Sequence, residues 1–392
     1  MLDVSALAET QDHLDIRNAV RAVCDQFDDA YWREHDRNAT FPHEFRKTIA
    51  DGGWLGIAMP EAYGGGGLGV TEAAIMMQTV GGSAGTFAAC SAIHINVFGP
   101  HSIVVHGTDE QRARMLPPLI KGETCACFGV TEPDAGLDTT KLKTRAVRDG
   151  DKYIVNGQKI WTTTAQQADH IVLLARTTPK EECKKPTEGL SLFYTKLDRR
   201  YVEVREIHKM GRAAVNSNDV FIDGLPVPVE DRIGEEGMGF RYILDSLNPE
   251  RILVAAEAIG IGRRALAKAT RYANERVVFG RPIGKNQAIQ HPLAESWAEL
   301  YAAELLTLRA AALYDAGKPC GAEANAAKYL AADAAFNACD RAVRAHGGMG
   351  YACEYDVERY FREAIATRLA PVSRELILCY LAERVLGLPK SY

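Results

Sequence analysis

Little in this sequence invites a metal, membrane or nucleic-acid reading. It has no H-E-x-x-H run and no His/Cys cluster at ligand spacing, so no metal site is expected. Its nine cysteines are an odd count and are scattered. Cys125 and Cys127, the only close pair, have one residue between them, too few for a C-x-x-C redox or zinc pattern. Reduced, mostly buried thiols in a reducing compartment are expected. The ten histidines form no arrangement suggesting a triad. There is no excess of positive charge: the formal net charge is -5, which excludes a nucleic-acid-binding bias. No apolar run reads as long enough to span a membrane. The first residues, MLDVSALAETQDHLD, carry acids, no basic lead and no long apolar core, so they resemble neither a secretory signal nor an Arg-rich transit peptide. The last residues, LGLPKSY, show no lipidation or retention motif. A cytoplasmic chain of bacterial type, or the mature form of a processed mitochondrial one, is the expectation.

What remains is ordinary globular composition, 47% hydrophobic and 25% charged over 392 residues, enough for two or three domains. Residues 1–123 read as a helical domain. Ile16, Val20, Val23, Phe27 and Tyr31 recur at three- and four-residue steps, one apolar helical face. TFPHEFRKTIADGG reads as a helix ended by Gly52 and Gly53, and 73–120 as apolar helix with Asn96, Phe98 and Pro100 near its middle. Gly64, Gly66 and Gly69 match G-x-G-x-x-G, but no clear strand precedes them and no acid occurs between Glu72 and Asp109 to hold a ribose. They are read as a loop. Residues 124–234 are strand-rich: IVLLAR, LSLFYTKL, YVEVREI and DVFIDGL are short apolar or alternating runs, and a β-barrel or sandwich is expected. Residues 235–392 turn helical again, with at least four long segments and alanine-rich stretches that allow close packing. The class is α+β, ordered as helical domain, β domain and helical bundle.

The stretch from Cys125 to Thr164 differs most from its surroundings. Residues 154–160 read as two short strands joined at Asn156-Gly157, a pair suited to a type I′ turn. Trp161 and the threonines 162–164 follow at once, a wall for a flat, polar-edged ligand or, equally, core and ordinary β-branched strand.

VTEPDAG followed downstream by NGQKIWTT, in this order and at this spacing, resembles the acyl-CoA dehydrogenase family. The resemblance covers nearly the whole chain. It implies an N-terminal helical domain, a middle β-barrel or sandwich domain and a C-terminal four-helix bundle, with helices of the 73–120 region lining an acyl pocket. It implies FAD, with Phe128, Val130 and Thr131 along the pyrimidine side of the ring and Trp161 and Thr163 near its other face and N5. Arg276, Phe279 and Gln287, in ERVVFGRPIGKNQ, match the segment that reaches the FAD diphosphate and adenosine of a neighbouring subunit, which implies a homodimer or a homotetramer built as a dimer of dimers. Arg276 suits a diphosphate as a fixed, forked cation, and equally suits a helix C-terminus. Gly347 and Gly348 would let backbone approach the cofactor. Arg344 stands where glutamine is frequent, and Ser373 and Glu375 replace the threonine and the glutamine or glutamate of the terminal motif. On the substrate side Leu137 replaces a serine, and Asn248 and Arg251 stand where CoA is contacted.

The chemistry implied needs a base for an α-proton beside a thioester, a flavin to take the β-hydride, and donors for the carbonyl oxygen. Much of the family carries its base in a Y-E-G-T motif following R-D-A. Here Arg362-Glu363-Ala364 takes the R-D-A place and Pro371 stands where that glutamate would be. A second group, resembling isovaleryl-CoA and long-chain acyl-CoA dehydrogenases, carries it early on the first bundle helix before an arginine, and this chain has Asn248-Pro249-Glu250-Arg251 there. Glu250 is therefore the expected base, with Glu257 and Glu375 as weaker candidates. Asn-Pro-Glu is also a helix start, with Asn as N-cap, Pro at the first position and Glu in the first turn. Pro371 lacks the N–H that would bind the thioester oxygen, leaving the Val372 N–H or a flavin ribityl hydroxyl to serve. The expected activity is dehydrogenation of an acyl-CoA to its trans-2-enoyl-CoA, with electrons passing to an electron-transfer flavoprotein. The rivals are an acyl-CoA oxidase or flavin monooxygenase of the same fold, and a flavin- or CoA-binding protein without dehydrogenase activity.

Overall fold

The apolar face drawn by Ile16, Val20, Val23, Phe27 and Tyr31 is split between two helices and, at Phe27, the turn between them in the computed structural model, which describes residues 10–391. Helix α1 (Gln11–Cys24) stops at Asp25, and Asp28 then caps α2 (Asp29–Asn38), accepting from the Tyr31 N–H at 2.9 Å. Both helices press the same residues into one core. Next come α3 (His43–Asp51), α4 (Val70–Gly81), α5 (Thr86–Phe98), α6 (His101–His106) and α7 (Asp109–Ile120). Helix α3 ends at Gly52, and Gly64–Gly69 is a loop leading into α4 with no strand before it. One expectation needs correction. The stretch Thr86–His106 is long and apolar enough to cross a membrane by composition. Its burial, 78% inside the fold, makes it core helix.

The β domain is one eight-stranded sheet. Its strands are β1 (Ala126–Gly129), β2 (Arg145–Asp149), β3 (Lys152–Thr163), β4 (His170–Arg176), β5 (Leu190–Lys196), β6 (Val202–Glu206), β7 (Ser217–Pro228) and β8 (Arg232–Ile233). The order is β6-β7-β3-β2-β4-β5-β8, with β1 beside β4. Asn156-Gly157 is not a turn. Strand β3 runs straight through it, and the hairpin to β2 closes at Gly150 instead, where Asp149 pairs with Lys152. The Asn156 side chain accepts from the Gly224 N–H at 2.8 Å, and the register against β7 shifts between Val155 and Gly157. A Cβ at 157 would lie 2.4 Å from Thr144 Oγ1, so glycine is needed there for close packing.

Past the sheet come α8 (Gly239–Glu275), a short hairpin of β9 (Val277–Val278) and β10 (Arg281–Pro282), α9 (Gln287–Asp315), α10 (Gly321–His346), α11 (Val357–Leu369) and α12 (Arg374–Arg384). Helices α8, α9, α10 and α11 form the four-helix bundle, and α12 lies against α10. Alanines 255, 258, 303, 327, 331 and 335 meet at its centre, small enough for close helix approach. Helix α8 has 37 residues and also packs against α4, α5 and α6, so the N-terminal helices and the bundle share a core. Ion pairs fix this junction: Asp356 takes Arg33 at 2.9 Å and Lys268 at 2.6 Å, and Asp29 takes Arg264 at 2.9 Å. Glu363 accepts from Thr86 Oγ1 at 2.9 Å and from the Ala88 N–H at 3.1 Å, tying the start of α5 to α11. All nine cysteines are free.

A buried ion pair joins the two motif halves of the β domain. Lys159 on β3 reaches Glu132, in the loop after β1, at 2.8 Å. Glu132 also accepts from the N–H groups of Lys143 and Thr144 at 2.6 and 3.0 Å, and Lys159 donates to the Val130 carbonyl at 3.2 Å. Neither side chain is more than 5% exposed. Removing one partner strands a buried charge, so Lys159→Met is expected to cost about 3–5 kcal/mol in urea unfolding. A loss within experimental error would show that the pair does not hold this wall.

Candidate active site

Glu250 sits inside α8, eleven positions after its first residue, Gly239. The helix-start reading of Asn248-Pro249-Glu250 is thus overturned: Pro249 lies within the helix, and Met238 is the cap. Proline has no N–H to give the Asp245 carbonyl, and the packing of α8 on its neighbours carries the helix through. Glu250 is 8% exposed, and among the described residues it has no hydrogen-bond or ion-pair partner; its Oε2 is buried and orphaned. Burial pushes its carboxyl up to about 7, against the pull of His94, Arg251 and Lys328 and with the push of Glu257.

The rival carboxylates are placed differently. Glu257, two turns further along α8, is held by His94 Nδ1 of α5 at 2.6 Å. Glu375 is exposed in the first turn of α12. Around Glu250, Arg251 Nη1 donates to Asn248 Oδ1 at 3.2 Å while its Nε is buried without a partner. Lys328 of α10 is 1% exposed and donates to the Val372 carbonyl at 2.7 Å. Burial lowers its ammonium to about 8. Lys328 thereby fastens the Pro371–Val372 segment to the bundle, beside the base.

A second group of residues forms a wall on the sheet. Phe128 lies on β1, Val130 and Thr131 follow the strand, and the Ile160 N–H donates to the Thr131 carbonyl at 2.9 Å, so the VTEP loop and the end of β3 lie side by side. The β3–β7 register shifts between Lys159 and Thr162, and this bulge turns Trp161 outward at φ 60° and 55% exposure. Thr163 is half-buried, and the Thr162 Oγ1 is buried with no partner. Phe98 of α5 meets Phe128 at 5.8 Å and His94 at 5.6 Å between ring centroids, linking this wall to the α5–α8 contact.

The remaining expected residues stand on other elements. Gly347 ends α10 at φ 61°, a conformation that favours glycine, and both it and Gly348 have open space where a side chain would stand. Arg344 is exposed and pairs with Asp340 at 3.1 Å. Ser373 caps α12, its Oγ accepting from the Leu376 N–H at 3.4 Å. Leu137 is 52% exposed on the loop after the wall. Arg276, Phe279 and Gln287 stand on the β9–β10 arm and the first turn of α9, all exposed, and Phe279 is 99% exposed. Among the described residues, no hydrogen bond, ion pair or ring contact joins these three to the Trp161 wall. Sequence reasoning did not single out Glu132, Lys159, His94 or Lys328. Lys159 and Glu132 stand inside the quoted motifs, which was the available signal; nothing local marks a lysine as buried.

An exposed indole, a half-buried phenyl ring, an orphaned threonine hydroxyl and an open glycine pair fit a flat flavin with a diphosphate tail. Comparisons agree. Residues 10–123, 127–225 and 237–386 match the acyl-CoA dehydrogenase N-terminal, middle and C-terminal domains. Acyl-CoA dehydrogenase FadE12 of Mycobacterium tuberculosis is 36% identical over 398 residues, covering 100% of both chains. A structure of glutaryl-coenzyme A dehydrogenase with glutaryl-CoA superposes with a TM-score of 0.92 at 30% identity, covering 97% of each chain. A structure described as the electron transferring flavoprotein of Acidaminococcus fermentans superposes with a TM-score of 0.91 at 31% identity, covering 96% of this chain and 98% of the other. The chain belongs to the acyl-CoA dehydrogenase family, FAD-dependent oxidoreductases that act on CH–CH bonds.

Proposed function

We propose that this enzyme converts a saturated acyl-CoA thioester to its trans-2-enoyl-CoA, with Glu250 taking the α-proton. The observation that carries the reading is a buried carboxylate with no protein partner, raised to about 7. Such a group accepts a proton at neutral pH and exchanges it without breaking an ion pair. FAD, held by Phe128, Val130, Thr131, Trp161, Thr163, Gly347 and Gly348, supplies the acceptor for the β-hydride when bound. The Val372 N–H is the donor for the thioester oxygen in place of the one Pro371 lacks, and Lys328 holds the same residue by its carbonyl, in the next peptide unit. Asn248 and Arg251 lie on the helical turn that carries the base, where they contact the CoA. The exposed β9–β10 arm supports a homotetramer, or at least a dimer, in which one subunit completes its neighbour's FAD site. Electrons then pass to an electron-transfer flavoprotein, a partner supported by the Acidaminococcus neighbour. Pro371 favours one other reading, a flavin- or CoA-binding protein without dehydrogenation.

Anaerobic mixing of the yellow protein with short, long, branched and aromatic acyl-CoAs tests the choice. Bleaching of the flavin band by one class is expected, slowed about 10²–10⁴-fold in Glu250→Gln with FAD retained. No bleaching by any of them would favour the binding protein. The bleaching rate of the native enzyme is expected to rise with pH through about 7 and level off above it.

A stability measurement tests the burial of Glu250 without any substrate. Its folded pKa lies above its unfolded one, so folding binds the proton more tightly, and stability falls as pH rises from the ordinary carboxylate range through about 7. Glu250→Gln removes that loss and is expected to be more stable than the native protein at pH 8, by about 3 kcal/mol at most, with the gap closing below pH 5. Equal stabilities at both pH values would show that the carboxyl is not desolvated.

Phe279→Asp is expected to lower both the oligomeric mass in sedimentation and the FAD retained on gel filtration. Full FAD content in a monomeric variant would overturn the shared site.

A further inference from the structure

We propose that the His94–Glu257 ion pair is a positioning device for the charge on Glu250, holding an imidazolium beside the base and so fixing the lowest pH at which Glu250 can accept the substrate proton. This rests on the reading of Glu250 as the base.

The geometry is that of two helices sharing one buried face. Glu250 and Glu257 are seven residues apart on α8, so they point from the same side two turns apart. His94 enters from α5, which packs on α8, and meets Glu257 at 2.6 Å. His94 is 9% exposed and Glu257 1% exposed, in a region otherwise lined by apolar residues of both helices. Burial, the largest single influence, would strip the charge from His94, but the charge and hydrogen bond of Glu257, with a smaller pull from Glu250 itself, together raise His94 above its ordinary value.

The charged groups around the base come from three elements. Helix α8 gives Arg251 and Glu257, α5 gives His94, and α10 gives Lys328. Arg212, from the loop before β7, faces the His94–Glu257 pair from behind, and Glu363 of α11 faces Arg212. Lys328 is committed to the Val372 carbonyl and Arg251 to Asn248. His94 differs from both in that its charge depends on a partner, Glu257, and its pull on Glu250 is the larger influence while the push of Glu257 is the smaller. A pair that served only to clip α5 to α8 would need no charge and would not change the pH response of the base.

The test is the pH dependence of flavin bleaching by the best acyl-CoA, on the holoenzyme, in His94→Gln and Glu257→Gln. Without the imidazolium Glu250 is harder to ionise, so the acidic limb is expected to move to higher pH in His94→Gln, by about one unit. It moves that way whether the stranded Glu257 stays charged or binds a proton. Glu257→Gln keeps the hydrogen bond but lets burial return His94 to the neutral ring, so the limb moves up again, by less. A limb that stays in place or moves down in His94→Gln, with FAD content intact, overturns the proposal. Should both variants fail to fold, ¹⁵N-histidine NMR of the native flavoprotein decides: an imidazolium at pH 7 supports the device, and a neutral His94 ring at that pH overturns it. Native enzyme that no acyl-CoA bleaches would overturn the base reading itself. Native enzyme that is bleached, with Glu250→Gln inert and the His94→Gln limb unmoved, would remove only this inference.

Discussion

Keeping one carboxylate dry and unpaired is the constraint that the rest of this structure serves. An isolated buried charge is among the most unfavourable things a fold can contain, and the ordinary outcome is that the group finds a partner or stays protonated. Glu250 has no partner, and its proton affinity rises instead, to about 7. It is buried where α8 meets α5 and α10, and nothing among the described residues bonds to it. The cost is offset by the shared helical core, in which α8 is covered along most of its length by N-terminal helices on one side and the bundle on the other. A shorter α8, or one lying on the surface, would leave Glu250 solvated and ordinary.

Other buried charges obey the opposite rule. Lys159 has Glu132, His94 has Glu257, Asp356 has Lys268 and Arg33, and Lys328 has the Val372 carbonyl. Each of these contacts crosses between elements far apart in the chain, so each fixes a register that apolar packing leaves loose. The Lys159–Glu132 contact sets the VTEP loop beside the end of β3. The Glu363 bonds set the start of α5, and through it His94. The site is therefore assembled from elements of all three domains, with paired charges as its frame and one unpaired carboxyl at its centre.

Much of the architecture was legible because periodicity and punctuation act locally. The Gly52 stop of α3, the strand-rich block and the long alanine-rich helices follow from spacing and composition. The failures were also local rules, each overridden by packing. Asn156-Gly157 carries turn chemistry, but β7 pairs across it and Thr144 presses on the glycine, so it became a bulge in a continuous strand. Asn248-Pro249-Glu250 has the residues of a helix start, but nine residues before it already lie in α8. Helix α11 spans Arg362-Glu363-Ala364, whose likeness to R-D-A carries no information on a helical face.

The sequence by itself determined the family and the α+β order of helix, sheet and bundle, since the paired motifs and the periodicities are properties of the chain as written. It also narrowed the base to a few glutamates, through Pro371 at one position and Glu250 at the other. Only the tertiary structure separated those glutamates: Glu257 is held by His94, Glu375 faces solvent, and Glu250 is buried alone. The physical reason is that a carboxylate's proton affinity depends on its solvation and on charges brought near it by folding. His94 lies on a different helix, and Lys328 approaches from another side of the bundle. No reading of neighbours along the chain contains those distances.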